Sequence, residues 1–246
     1  MGKRIAILSG KGGVGKTTTA ACVAGELAGQ GHSTLLIDGD VALGNLDLML
    51  GVEGEATHDL VDVLNRRCPL GSALLRISQE HPLWYLPLAL SAREDLSALS
   101  RLPQMLSLLA NYFDFVIVDC PAGLGDVVRG LTEGSDLAIL VTTAEFIAAR
   151  NARRAMQMLS EMGCPARLVV NRVKRGLIRR GEAPDIDQVI DLVGAQLIGV
   201  AEEDNLVAPL QNKGIPIRYQ AASPAARQLA DVARRLLGEQ RPLRFD

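Results

Sequence analysis

The run Arg4-Ile5-Ala6-Ile7-Leu8 leads straight into Gly10-Lys11-Gly12-Gly13-Val14-Gly15-Lys16-Thr17-Thr18, and no other stretch limits the possible folds so tightly. Gly10, Gly15, Lys16 and Thr17 fill the frame G-x-x-x-x-G-K-[ST]. In such a loop the glycines let backbone N–H groups close around a polyphosphate. The lysine sets a cation against its β and γ oxygens, and the threonine hydroxyl is a ligand for Mg²⁺. A helix is predicted from about Gly15 to Ala28, whose N-terminus, with roughly +0.5 of a charge, faces the same anion. Gly10 to Thr18 is therefore expected to bind the phosphates of a nucleotide with its Mg²⁺.

Strand, glycine loop and helix in that order begin a βαβ unit, and the rest of the chain continues the alternation. Further strands are expected at Ser33–Ile37, Leu83–Leu86, Phe115–Val118, Leu137–Val141, Arg167–Val170 and Leu197–Val200. Ile186, Val189, Ile190 and Val193 recur with helical period, as do Leu229, Val232, Ala233 and Leu236; Ser223, Pro224 and Gly238 supply the second helix with a cap, a first turn and a stop. The sequence predicts an α/β fold with a single doubly wound, mostly parallel sheet flanked by helices. The domain is expected over 1–238, with 239–246 as a short extension. Only 3% of residues are aromatic while 48% are apolar, so the core must be aliphatic, as buried parallel strands are. Segments 51–70 and 79–98 are less clearly patterned than the rest.

Other functions lose support from composition. A net charge of −2 offers no general attraction to nucleic acid or an anionic membrane. Cys22, Cys68, Cys120 and Cys164 are scattered without a C-x-x-C pair, which argues against a disulfide framework, a zinc site or an iron–sulfur carrier. No signal peptide or membrane-spanning run is recognised, and a soluble cytoplasmic protein is expected.

In an open α/β sheet the ligand lies beyond the carboxyl ends of the strands. Leu35-Leu36-Ile37 runs into Asp38-Gly39-Asp40, and Phe115-Val116-Ile117-Val118 runs into Asp119-Cys120-Pro121-Ala122-Gly123. A carboxylate at Asp119 suits Mg²⁺, a hard cation that keeps several waters and takes few protein ligands. Each aspartate is also a plausible turn former or helix cap. Asn171 closes another strand; its amide both donates and accepts, as an adenine edge requires, and it is equally a residue that forms turns at strand ends. Asn171-Arg172-Val173-Lys174 lacks the aspartate of the guanine-reading N-K-x-D, so ATP is expected over GTP.

Lys11 comes too early in the loop to duplicate Lys16; it is either a solvated loop lysine or free to reach elsewhere. The arrangement K-G-G-V-G-K-T-T resembles the deviant Walker A signature of the MinD/ParA family of P-loop ATPases. The likeness extends through Gly44-Asn45-Leu46-Asp47-Leu48-Met49-Leu50-Gly51, the Asp119 segment, Glu145 with Arg150, and the closing Leu236-Leu237-Gly238-Glu239-Gln240-Arg241-Pro242. The resemblance implies that Lys11 reaches across a nucleotide-sandwich homodimer to the partner's phosphates, that Asp40 orients or activates the attacking water, that Asp38 supports the switch and that Asp119 serves the metal. It also implies a weak, dimer-dependent ATPase that places the cell-division site, with a division inhibitor or a MinE-like regulator as partner.

Two departures from the family pattern modify these expectations. The family's basic amphipathic tail has no counterpart after Arg244-Phe245-Asp246, so direct membrane binding is not expected and any peripheral location would come through a partner. The helix predicted over Ile147–Met162 carries Asn151 and Arg153 where the family presents acidic residues, which puts the usual activator contact in question. A DNA-partition ATPase is the alternative, resting on five cations in the nine residues Arg172–Arg180, but no aromatic residue there stacks bases and nucleic acid is not the expected partner. A flagellar-placement ATPase shares the same motifs.

Overall fold

The computed structural model describes residues 1–40, 44–89, 100–207 and 223–243. Eight strands form one sheet: β1 Lys3–Leu8, β2 Thr34–Asp38, β3 Leu75–Arg76, β4 Leu83–Pro87, β5 Phe115–Asp119, β6 Leu137–Thr143, β7 Ala166–Val173 and β8 Leu197–Glu202. Their order across the sheet is β3-β4-β2-β5-β1-β6-β7-β8. The antiparallel pair is β3 with β4; the other neighbours run parallel. All seven strands expected from the sequence are present, and β3, at two residues, is too short to show a period.

The described helices are α1 Lys16–Gly29, α2 Leu46–Leu50, α3 Leu60–Leu64, α4 Leu70–Ala73, α5 Leu102–Leu109, α6 Asp126–Thr132, α7 Phe146–Glu161, α8 Arg175–Arg179, α9 Ile186–Val193 and α10 Pro224–Leu236. Segment 51–70, less clearly patterned in sequence, holds α3, and segment 79–98 holds β4; residues 90–98 lie outside the described residues, as do 244–246.

Side chains of β1 alternate between two cores, as a pleated strand requires. Ile5 and Ile7 pack with Ala24 and Leu27 of α1 and Leu229 and Val232 of α10. Ala6 and Leu8 face the other layer, with Leu106 of α5, Leu131 of α6, Ala149 of α7 and Val189 of α9. β2, β5 and β6 are buried along their whole length, which accounts for their unbroken Val, Ile and Leu runs.

Helix ends follow the local chemistry. The Ser223 hydroxyl accepts from the Ala226 N–H at 3.1 Å, with Pro224 in the first turn of α10. Asp185 and Gln188 close a reciprocal capping box on α9. With α1 on one face and α7 on the other, right-handed crossovers carry the chain from β1 toward one edge and from β6 toward the opposite edge. The strand order therefore reverses beside β1, where a doubly wound sheet binds its ligand.

Candidate functional site

The loop after β1 is held from behind by side chains of β7. Asn171 Nδ2 donates to Val14 O at 2.9 Å, and Arg172 Nη1 donates to Gly13 O at 2.9 Å. A planar peptide points its C=O and the following N–H in opposite directions. Fixing these carbonyls thus turns the Val14 and Gly15 amides away from β7, where an anion can collect them. Gly15, which caps α1, has φ 87°, and a Cβ there would stand 2.2 Å from Asn171 Nδ2. Only glycine meets both conditions.

Gly10 is required for a reason the motif does not state. Its Cβ would come within 2.4 Å of the Asn151 carbonyl, so the loop leans directly on α7. On the same side Lys11 Nζ lies 3.6 Å from the Glu145 carboxylate at the start of α7, with both side chains largely exposed. Lys11 is therefore neither buried in the loop nor free in solvent.

Beneath the loop, Lys16 Nζ meets Asp119 Oδ1 at 2.7 Å, the two side chains 8% and 1% exposed. Asp119 Oδ2 is buried with no hydrogen-bond partner among the described residues. Burial pushes the Asp119 carboxyl above the usual carboxylate range, opposed by the Lys16 charge and the Thr17 hydroxyl. Register places Asp38 of β2 directly beside Asp119 of β5. Asp38 is buried too, and its two oxygens accept from the Asp40 N–H at 3.0 Å and the Leu46 N–H at 3.3 Å. One carboxylate thereby holds both ends of segment 40–46. Burial, against these two N–H bonds, pushes Asp38 up to about 7. Gly39 lets the strand ends approach: a Cβ would lie 2.7 Å from Asp119 O.

These groups border a cleft of about 630 Å³, within the usual range for a small-molecule site. Gly12, Gly13, Gly15, Lys16, Thr17, Thr18, Asp40 and Asn171 all line it. Asp38 and Asp119 are buried and do not line it; Lys11 and Val14 line a second groove at the start of α7, the helix on which Gly10 leans. At the far end are Glu202, Glu203 and Asp204, tied to α10: Ser223 Oγ donates to Asp204 Oδ2 at 2.6 Å, and the Glu202 N–H donates to Gln228 Oε1 at 2.9 Å.

Arg172 was not singled out in the sequence. It adopts the left-handed region, at φ 55°, beside a register shift between β7 and β8, and that turn aims its guanidinium at the loop. Four of the five cations in the basic segment, Arg172 among them, meet carboxylates. Arg172 and Lys174 pair with Glu203 at 3.4 and 3.3 Å, Arg175 with Glu202 at 2.6 Å, and Arg180 with Glu182 at 2.8 Å. A phosphate backbone would have to displace carboxylates to reach them.

Residues 1–235 match the ParA family, described as NUBPL iron-transfer P-loop NTPase. The chain belongs to the ParA/MinD family of P-loop NTPases. Within the family it is 39% identical over 246 residues to the septum site-determining protein MinD of Bacillus subtilis, an alignment spanning 99% of this chain and 92% of that protein. It is 32% identical to MinD of Escherichia coli K12, over 100% and 94% of the two chains. Among solved structures, MinD in the MinC:MinD cell division protein complex of Aquifex aeolicus superposes with a TM-score of 0.90 at 34% identity, covering 99% of this chain and 98% of that one. MinD of Pyrococcus horikoshii, solved with Mg-ADP, gives 0.85 at 29%, covering 96% of each chain. Among the described residues the four cysteines are free, and no group of three or more His, Cys, Asp or Glu is placed to hold a metal. Among the described residues no helix is long and apolar enough to cross a membrane.

Proposed function

We propose that this chain binds Mg·ATP in the cleft above β1, dimerises in that state and hydrolyses ATP slowly, so that the nucleotide switches its contacts with a protein partner in placing the cell-division site. One observation carries the reading. A loop with outward-pinned carbonyls sits over a buried lysine–aspartate pair whose second carboxylate oxygen has no partner. A buried polar atom without a partner is costly, so Asp119 Oδ2 is open to a cation, and an anion entering the cleft would meet Lys16.

The donor set at Thr17 and Asp119, one hydroxyl and one carboxylate with a spare oxygen, fits Mg²⁺. Bound there, the ion would offset negative charge on the phosphate oxygens. Lys16 and the amides of Gly12 to Thr18 hold the phosphates. Asp40, on the cleft wall, orients the attacking water, and Asp38 keeps Asp40 in place through its backbone bond. Asn171, with one amide hydrogen committed to Val14, has its remaining polar capacity for the base.

Lys11 completes the site of a second copy. Its exposed bond to Glu145 is of a kind worth about 0–1 kcal/mol, so transfer to a partner's phosphate costs little. A cation delivered in trans makes turnover conditional on dimerisation, as an arginine finger does. The ATPase unit spans 1–238 in this reading, supported by the family match to residue 235 and the end of α10 at Leu236, with 239–246 as an extension. The relatives named for septum site selection, and the Aquifex structure with MinC, support a division inhibitor as partner.

Calorimetry with Mg·ATP tests the reading. Wild type should bind ATP in preference to GTP, Lys16→Ala should lose binding, and Asp40→Ala should bind ATP and accumulate as dimer without turnover. Equal ATP affinity in wild type and Lys16→Ala would reject it.

A further inference from the structure

Asn171 and Arg172 brace the later half of the phosphate loop; the early half is braced by Ser9, the residue between β1 and Gly10. The Ser9 hydroxyl donates to Lys11 O at 3.0 Å. Its own carbonyl accepts from the Gly123 N–H at 3.2 Å, just beyond the bond from the Cys120 N–H to Ile7 O at 2.9 Å. A parallel ladder advances by two residues on each strand, so Ala122 would be the regular partner of Ser9. The chain after Asp119 instead takes in one residue more and offers Gly123, which stands at φ 100°, where glycine is favoured. Ser9 is 1% exposed, so its hydroxyl is a donor fixed from the sheet and shielded from water.

At Lys11 the chain turns out of the cleft. Ser9 and Gly12 line the cleft, whereas Lys11 lines the outer groove and holds its Nζ 3.6 Å from Glu145. The carbonyl that Ser9 holds belongs to the peptide at that turn. Holding it fixes the plane of the Lys11–Gly12 peptide, and with it the direction in which the lysine leaves the backbone. We infer that Ser9 is a positioning residue for Lys11: its hydroxyl aims the lysine outward, and its carbonyl ties that aim to the segment after Asp119. The inference rests on the reading in which Lys11 completes the site of a second copy. A peptide already held leaves only the lysine side chain to be ordered on assembly, whereas a free peptide adds the entropy of its own dihedrals. Val14 O and Gly13 O keep their donors Asn171 and Arg172 whatever Ser9 does. Loss of the Ser9 hydroxyl therefore separates assembly from phosphate binding.

The test compares Ser9→Ala, Ser9→Cys and Ser9→Thr with wild type and Lys11→Ala. Mg·ADP affinity is read by calorimetry, stability by the urea midpoint, and assembly by specific ATPase activity against protein concentration. Ser9→Ala should bind Mg·ADP within about twofold of wild type yet need about fivefold more protein for half-maximal specific activity, the effect of one hydrogen bond. Ser9→Cys, close in volume but a weak donor, should match alanine and replaces it if the alanine variant does not fold. Ser9→Thr keeps the hydroxyl and should return the wild-type concentration dependence. A serine with a merely structural role would move the urea midpoint without this shift. The inference is overturned by alanine and cysteine variants that assemble like wild type, or by a loss of Mg·ADP affinity as large as the loss of assembly. A threonine variant that binds Mg·ADP normally yet assembles like alanine would overturn it as well. Wild-type specific activity that stays flat with protein concentration, or a Lys11→Ala protein that turns over like wild type, would instead reject the functional reading, and this inference with it.

Discussion

Gly15→Ala is the substitution whose cost the structure resolves most fully. An alanine held at φ 87° costs roughly 1–2 kcal/mol from the left-handed conformation alone. Its Cβ would also stand 2.2 Å from Asn171 Nδ2, so the amide must swing away and surrender its 2.9 Å bond to Val14 O. Leaving that buried carbonyl without a donor adds roughly 1–3 kcal/mol. The single variant should therefore lose about 2–5 kcal/mol. Asn171→Ala gives up the same bond without the backbone strain and should lose about 1–3 kcal/mol. In the double variant the bond can be lost only once, so its stability should equal that of Gly15→Ala within error, a non-additivity as large as the whole cost of Asn171→Ala. Urea unfolding of the nucleotide-free protein, followed by circular dichroism, measures all three. Additive losses would show that Asn171 does not brace the loop. An Asn171→Ala protein of unchanged stability but altered ATP-over-GTP preference would assign the amide wholly to the base.

Asp38 offers a test in pH. Because folding raises this carboxyl to about 7, the folded state favours its neutral form, so its contribution is fully present below about pH 4 and lost as pH rises through about 7. Asp38→Asn should flatten the fall in urea midpoint between acid and neutral pH, with a residual slope from Asp119, whose carboxyl is raised as well; an unchanged slope would place Asp38 in contact with water. Lys11→Ala should keep nucleotide affinity and lose the ATP dimer in light scattering, whereas Glu145→Ala, which frees Lys11, should dimerise at equal or lower protein concentration. A Lys11→Ala protein that dimerises and turns over ATP normally would return Lys11 to a solvated loop lysine. Arg172→Ala should lower ATP affinity a few-fold with Lys16 intact, since the Gly13 carbonyl loses its outward tether; unchanged affinity would show the tether to be redundant.

The sequence by itself determined what depends on neighbours along the chain. Consecutive glycines, a lysine and a threonine after a strand specify the phosphate loop, because a backbone cradle needs those residues in that order. Buried parallel strands announce themselves as the unbroken runs Leu35–Ile37 and Phe115–Val118, because both of their faces are apolar. Caps such as Ser223 and Asp185 act over three residues and can be read in the same way. What lies far apart in sequence was decided only in the folded chain. Asn171 and Arg172 stand 157 and 159 residues from the carbonyls they hold, and Arg172 reaches its partner only because β7 turns through a left-handed residue. The second reason for Gly10 is a contact with α7, and the meaning of Lys11 depends on Glu145. The cations of 172–180 read as one basic run in sequence, yet β8 and the turn after α8 bring glutamates against four of them. Charge along a chain is a property of sequence, but whether that charge is met internally or left to solvent is a property of packing.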